Sequence, residues 1–124
     1  MNAKELMLDD LLYLNRRPVR VDAIGFNGSI SYSEKGGFGC IGVDKLSLIP
    51  ITEEMLEKNT KKVEGFTGWL YWLDVKEQCY VRKYDGEYTF MYKRGFADAC
   101  IPIEFVHQLQ HCLKMFGISK EIVL

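Results

Sequence analysis

The stretch that decides the fold, residues 78–93, reads QCYVRKYDGEYTFMYK. At its centre stands Asp85-Gly86, a strong signal for a two-residue β-hairpin loop, because both positions of a type I′ turn need positive φ. A loop of two residues also determines which side chains face each other across the hairpin. Counting back from it pairs Tyr80 with Met91, so the register of both strands is predicted from this turn alone.

Side chains alternate along each strand, so the hairpin has two faces of different character. The nearly all-apolar face should meet the core: Cys79, Val81, Tyr88, Phe90 and Tyr92. The mixed face supplies the candidate binding residues: Tyr80, Arg82, Tyr84 and Met91. Aromatic rings beside an arginine on a sheet are typical of platforms that stack single-stranded bases. The alternative is that this face packs on the other half of the chain or on a second subunit.

Toward the N-terminus, short apolar or alternating runs between turn signals predict four strands: Leu11–Leu14, Val19–Ala23, Ser29–Ser33 and Phe38–Val43. Asn27-Gly28 is read as another two-residue hairpin turn, and Lys35-Gly36-Gly37 as a second reversal. Four short strands with tight turns favour a small curled antiparallel sheet, of the kind found in SH3-like barrels.

Two helices complete the pattern. Thr52 is a good N-cap for a short helix that stops near Asn59. The dense aromatic run Phe66–Leu73 predicts a further strand. A longer amphipathic helix begins at Ile103 or Glu104 and ends before Gly117. The tail after it, residues 118–124, either docks as an extended segment or frays.

The expected fold class is therefore α+β, with a curled N-terminal sheet, a short helix, an antiparallel β-meander and a C-terminal amphipathic helix. The chain is long enough for one domain, 1–124. Its sub-halves would be 1–59, the sheet with the short helix, and 60–124, the meander with the closing helix. The segment Asn59–Gly65 is the predicted joint.

Composition narrows the functional classes. A formal net charge of −1 gives no overall attraction to nucleic acid or to an anionic membrane, although a local basic patch is compatible with it. All four cysteines lie in apolar stretches and are expected to be reduced and buried. The N-terminus lacks the basic and apolar regions of a signal peptide, so we expect a cytoplasmic protein that does not enter a membrane.

One helix carries the only histidines. Glu104, His107 and His111 recur at helical spacing and can share one face, which makes them weak candidates for metal ligands. The pattern is not that of a metalloprotease, because Gln108 stands where the catalytic glutamate would be. A polar helix face is the simpler interpretation. No motif links a nucleophile to a base, so we predict no catalytic residues, no enzyme activity and no cofactor.

Three segments resemble a family of short uncharacterised proteins of anaerobic gut bacteria, often encoded in prophage or conjugative-element regions. The segments are residues 11–15 with 18–21, residues 49–59 and residues 106–124. The most specific parts are Pro50-Ile51-Thr52-Glu53-Glu54 and Val106-His107-Gln108-Leu109-Gln110-His111. Asn59-Thr60-Lys61 departs from the family's usual Asn-Gly-Phe. The resemblance implies a lineage and a setting, and no mechanism.

The sequence therefore favours a non-catalytic binding or adaptor protein of a bacterial mobile element or phage, with a protein partner. Two alternatives stay open. One is a nucleic-acid-binding accessory protein that uses the face of Tyr80, Arg82 and Tyr84. The other is a metal-dependent enzyme at Glu104, His107 and His111. A homodimer is compatible with each of them.

Overall fold

The computed structural model describes residues 5–65, 68–94 and 97–124. Three short segments lie outside this part: residues 1–4, residues 66–67 at the start of the predicted strand Phe66–Leu73, and residues 95–96. The chain divides into two compact units, Met1–Ile49 and Pro50–Leu124. The short helix therefore belongs to the second unit, and the division falls before it rather than at residue 59. Strands and helices together confirm the α+β class.

The N-terminal unit is one antiparallel sheet in the order β1-β2-β3-β4. Its strands are β1 (Leu11–Leu14), β2 (Arg17–Ile24), β3 (Ser29–Glu34) and β4 (Gly37–Gly42). One face is apolar and buries Leu12, Val19, Val21 and Ile30. After a 3₁₀ turn at Val43–Lys45, Ser47 forms a single bridge to Tyr13 of β1. The described residues do not form a closed barrel, and the SH3-like comparison stays a prediction.

The turn predicted at Asn27-Gly28 was wrong in its length. The loop between β2 and β3 has four residues, 25–28, and only Gly28 of the predicted pair has a positive φ, of 83°. The cause is the Asn27 carboxamide, whose Oδ1 accepts a hydrogen bond from the Ser29 backbone N–H at 3.2 Å. Such side-chain bonding favours a longer Asx-type loop over the two-residue turn.

The C-terminal unit has a five-stranded antiparallel meander, with one helix before it and one helix after it in the sequence. In chain order its elements are α1 (Glu53–Asn59), β5 (Lys61–Gly65), β6 (Gly68–Asp74), β7 (Cys79–Tyr84), β8 (Glu87–Arg94), β9 (Ala97–Ile103) and α2 (Val106–Met115). Both predicted features of α1 are confirmed: the Thr52 side chain accepts a hydrogen bond from the Met55 N–H at 3.2 Å, and the helix ends at Asn59.

The central hairpin follows the predicted register. Asp85 and Gly86 both have positive φ, of 51° and 78°, as a type I′ turn requires. All six predicted cross-strand pairs are present, from Tyr84 opposite Glu87 to Cys79 opposite Tyr92. The local turn chemistry and the alternation of apolar residues point to the same register here, which is why the prediction succeeds.

Two strands of the meander were not predicted. The expected joint after Asn59 is the edge strand β5, and residues 97–103 form the other edge strand, β9. Lysines in β5 and Pro102 in β9 are weak strand formers, which hid both segments. Both residue types are, however, common on sheet edges, where unpaired backbone must be protected from further pairing. The last helix consequently begins at Val106, later than expected.

Four of the five residues on the predicted apolar face of the hairpin are buried, and the fifth, Tyr88, is half-buried. Cys79, Val81 and Phe90 are fully inaccessible, and the ring of Phe116, which follows α2, stacks on Tyr92 with centroids 4.5 Å apart. The tail also contributes, because Ile118 and Ile122 are buried. The helices therefore cover this face of the sheet, and the candidate binding residues lie on the opposite one.

Candidate binding face

The strand register aligns the candidate residues in rows across the sheet. Trp72 of β6 lies opposite Tyr80 of β7, and Tyr80 lies opposite Met91 of β8. Arg82 and Tyr84 follow Tyr80 at alternate positions of β7, so their side chains leave the sheet on the same side. We call these five residues, Trp72, Tyr80, Arg82, Tyr84 and Met91, the aromatic face.

A pair of aromatic rings is its central feature. The rings of Trp72 and Tyr80 are tilted by 45° with centroids 4.8 Å apart, a favourable distance for two aromatic rings. Both side chains are half-buried, and Tyr84, four positions beyond Tyr80, is 58% exposed. The face thus combines two rings that brace each other with a third that stands in solvent.

Met91 is less accessible than its place on the mixed face of the hairpin suggested. It is only 9% exposed, because it lies on a central strand with a neighbour on each side. It therefore offers little contact area to a ligand. Its flexible thioether is suited to support the adjacent Tyr80 ring from the side of β8.

Arg82 supplies positive charge in the next row, between Leu70 and Thr89. The residue is half-buried, and its Nε is buried without a hydrogen-bond partner among the described residues. No ion pair within residues 5–65, 68–94 and 97–124 includes it. A buried N–H without an acceptor costs roughly 1–3 kcal/mol, so an anionic group that reaches the guanidinium would offset part of that cost.

Charges at the rim of the aromatic face differ from end to end. Lys61 lies opposite Trp72 on the edge strand β5, so the ring pair has an exposed cation beside it. Tyr84, in contrast, lies opposite the exposed Glu87. An anion is therefore favoured near Trp72 and disfavoured near the turn of the hairpin.

A cleft of about 640 Å³ lies beyond that turn. Its lining is Pro50, Ile51, Gly86, Glu87, Tyr88, Thr89, Pro102, Ile103, Glu104 and Gln108. The two carboxylates, Glu87 and Glu104, are its charged groups, so a phosphate is disfavoured there. A polyanion on the aromatic face would accordingly run past Trp72 and Lys61 and away from this cleft.

The weak metal candidates do not assemble a ligand set. His107 is buried and His111 half-buried, with ring centroids 5.3 Å apart, whereas Glu104 is exposed and precedes the helix. The Glu104 backbone N–H donates to Gln108 Oε1 at 2.7 Å. Across the part of the chain that the structure describes, no three His, Cys, Asp or Glu side chains come close enough to hold a metal ion.

The four cysteines are free thiols with two different surroundings. Cys79 and Cys112 are buried as predicted, but Cys40 and Cys100 are exposed, and for them the prediction was wrong. Strand alternation explains the difference, because it turns Cys40 and Cys100 away from the two cores. Burial raises the pKa of both Cys79 and Cys112 to about 11, which makes them poor nucleophiles.

Alkylation should separate the two kinds of thiol. Iodoacetamide at pH 8 is expected to label Cys40 and Cys100 and to reach Cys79 and Cys112 only after unfolding, as peptide mass spectrometry will show.

The raised pKa values of Cys79 and Cys112 also affect stability, because the unfolded chain releases these two thiol protons at lower pH than the folded chain does. Stability that is present below about pH 9 should therefore be lost as the pH rises through about 11. Equal labelling of all four thiols in the folded protein would contradict the burial of Cys79 and Cys112, on which both expectations depend.

Sequence reasoning did not include Trp72 among the candidate residues, although the aromatic run that contains it was predicted to be a strand. Because no turn signal follows this run, the register of the strand against β7 stayed undetermined. The register was also hidden by an irregularity between Trp72 and Asp74. The pairing of Trp72 with Tyr80 is what turns scattered aromatic residues into a continuous surface.

Comparison with protein-family models, with curated proteins and with solved structures finds no match for this chain. Within the described residues, no helix is long and apolar enough to cross a membrane.

Proposed function

We propose that this protein is a non-catalytic binding protein that holds single-stranded nucleic acid on its aromatic face. The observation that carries the proposal is the Trp72–Tyr80 ring pair beside a half-buried arginine that lacks an ion-pair partner among the described residues. Bases stack on aromatic rings whatever their sequence, so we expect little sequence preference. The mobile-element or phage setting is a separate expectation, supported by the sequence resemblance.

Several features support this ligand class. Stacking on one aromatic ring contributes roughly 1–3 kcal/mol per base, so the Trp72–Tyr80 ring pair can hold a short strand. Arg82 and Lys61 provide positive charge near the rings, which compensates locally for the nearly neutral chain.

The test is a fluorescence anisotropy titration of an oligothymidylate of about 12 nucleotides at low salt. Trp72→Leu is expected to weaken binding about 5- to 150-fold, which is the loss of one stacked base. Trp69→Leu is the matched control, because Trp69 lies in the same strand on the opposite face, under the Lys62 ammonium at 4.3 Å. Its dissociation constant should stay within about twofold of the wild-type value.

A second variant tests the charge. Arg82→Gln should reduce the dependence of log K on log salt by about 0.7, the slope expected for one phosphate contact to a single strand. Lys83→Gln is the control, since Lys83 lies on the other face and is paired with Glu53. The proposal fails if the oligonucleotide does not bind at low salt, or if Trp69→Leu and Trp72→Leu weaken binding equally.

A protein partner is the second candidate. Apolar side chains continue the face toward β5, where Val63 is 39% exposed and lies opposite the half-buried Leu70. Such a margin is typical of a protein contact, as expected for an adaptor. Binding that requires Val63 and Leu70 and does not weaken with salt would favour this candidate.

A further inference from the structure

Sheet edges present unpaired backbone N–H and C=O groups, and proteins usually protect them. In the N-terminal unit, the edge formed by β1 is covered, because Tyr13 and Ser47 exchange two backbone hydrogen bonds of 2.9 Å. In the C-terminal unit, β5 carries Lys61, Lys62 and Glu64, and charges on an edge discourage pairing.

The edge formed by β9 is protected in two ways. Pro102 interrupts its row of donors, since proline has no N–H. Beyond it, the Ile51 backbone N–H donates to the Glu104 carbonyl at 2.9 Å, so residues 50–51 continue the sheet there. Three of the four sheet edges in the described part of the chain are thus blocked by a bridge, by charge or by proline.

Among the residues that the structure describes, none protects the fourth edge, β4, in any of these ways. It reads GFGCIG, with neither a charge nor a proline, and Phe38 is 89% exposed. The two-residue loop before it makes Glu34 and Gly37 a hydrogen-bonded pair. Alternation then directs the backbone groups of Phe38, Cys40 and Gly42 outward. Those of Phe38 and Cys40 have no further hydrogen bond to the described residues, whereas Gly42 is the N-cap of the 3₁₀ turn at Val43–Lys45.

We propose that β4 pairs antiparallel with β4 of a second copy of this chain, with Cys40 on the two-fold axis. This inference is independent of the aromatic face, which lies in the other unit. With Cys40 opposite its counterpart, every larger side chain meets a glycine. Phe38 faces Gly42 of the second copy, and Ile41 faces Gly39. Aromatic side chains are known to cover glycines across strand pairs in this way.

The charges at the two ends of β4 fit the same register. Lys35 lies in the turn before β4 and Asp44 follows the strand. Antiparallel pairing brings Asp44 of one copy beside Lys35 of the other. Glu34 already forms an ion pair with Arg17, with 3.1 Å between Glu34 Oε2 and Arg17 Nε. Lys35 is therefore the charged residue at that end of β4 that can pair with Asp44 of the second copy. The Asp44 carboxylate, which covers the Cα of Gly42, would turn toward Lys35 as Phe38 takes its place.

Sedimentation equilibrium of the full chain tests the proposal. We expect a monomer–dimer equilibrium that Cys40→Lys abolishes, because the substitution places like charges opposite each other. Cys40→Ser is the matched control and should dimerise as the wild type does. An unchanged melting temperature of Cys40→Lys at low concentration would show that the variant folds. A chain that stays monomeric at all concentrations, or a dimer unaffected by Cys40→Lys, would overturn the proposal.

Thiol cross-linking reports the register directly. Opposite positions on antiparallel strands lie about 4.5–5.5 Å apart at Cα, within the range of a disulfide. Mild oxidation should therefore link two chains through Cys40, in the wild type and in Cys100→Ser, but not in Cys40→Ser. In the Cys40→Ser background, a mixture of Phe38→Cys and Gly42→Cys chains should form the mixed disulfide. Linkage through Cys100 alone, or strand addition only by an unrelated extended peptide, would contradict self-pairing.

Discussion

Replacing Gly68 by alanine is expected to destabilise the C-terminal unit by more than about 4 kcal/mol. A Cβ at this position would overlap the Lys83 carbonyl oxygen, and the φ of Gly68 is +147°, a conformation that other residues rarely adopt. The obstacle is the backbone of the central strand β7, which cannot rotate away as a side chain would. Either β6 separates from β7 or the pairing shifts.

Gly86→Ala is the control that isolates the steric part. Gly86 has a φ of +78° in the type I′ turn, and a Cβ added there would meet nothing within 4 Å. Its substitution should therefore cost only the left-handed strain, about 1–2 kcal/mol. Urea denaturation of both variants gives the comparison. Equal losses for Gly68→Ala and Gly86→Ala would show that β6 and β7 adjust without separating.

The Gly68 substitution also bears on the aromatic face. Trp72 lies four residues further along β6, and its partner Tyr80 lies on β7. A change in the pairing of these strands moves one ring relative to the other, so the near-ultraviolet circular dichroism of folded Gly68→Ala should change. We expect its oligonucleotide binding to weaken more than the unfolded fraction accounts for, whereas Gly86→Ala should bind normally once folded.

How much of the fold can be predicted depends on how many signals agree at each place. At Asp85-Gly86, the turn residues, the alternation and the apolar face all specify one register, and all six pairs follow. At Asn27-Gly28, the same dipeptide logic fails, because a side-chain hydrogen bond to Ser29 favours a longer loop. Propensity alone does not include such competition for the backbone.

Edge strands are harder to predict for a physical reason. Residues that protect an edge, such as the lysines of β5 and Pro102 of β9, are those that weaken a strand signal. The same logic explains the cysteines: an apolar stretch suggests burial for every residue, whereas alternation exposes Cys40 and Cys100. Only the assembled sheet distinguishes the two faces of such a run.

The candidate site likewise combines residues that local sequence predicts with one that depends on the pairing of distant strands. Tyr80, Arg82 and Tyr84 could be assigned to one face from the hairpin turn alone. Trp72 could not, because its register comes from the pairing of β6 with β7, for which the sequence between them contains no two-residue turn signal. Local chemistry therefore predicts half of the ring pair, and the long-range strand pairing supplies the other half.

Removing the side-chain amide of Asn59 should be the second large effect. This buried amide holds residues 118–124 on the end of α1: its Nδ2 donates to the Val123 and Met55 carbonyls at 2.7 and 2.8 Å, and its Oδ1 accepts from the Val123 N–H at 2.7 Å. Asn59→Leu leaves these backbone groups without their partner. We expect a loss of about 2–4 kcal/mol, because each unsatisfied buried group costs roughly 1–3 kcal/mol.

Lys58→Leu is the matched control, since Lys58 is exposed on the same helix and its replacement should change stability by less than about 0.5 kcal/mol. Hydrogen exchange measured by mass spectrometry distinguishes an anchor from a simple packing residue. If Asn59 anchors the tail, Asn59→Leu will increase hydrogen exchange at residues 118–124 even while the sheet stays folded. The reason is that the tail, including the buried side chains of Ile118 and Ile122, can then detach from the rest of the unit. If exchange in the tail rises only together with exchange in β7 and β8, the tail is held by its apolar side chains and the amide has no separate role.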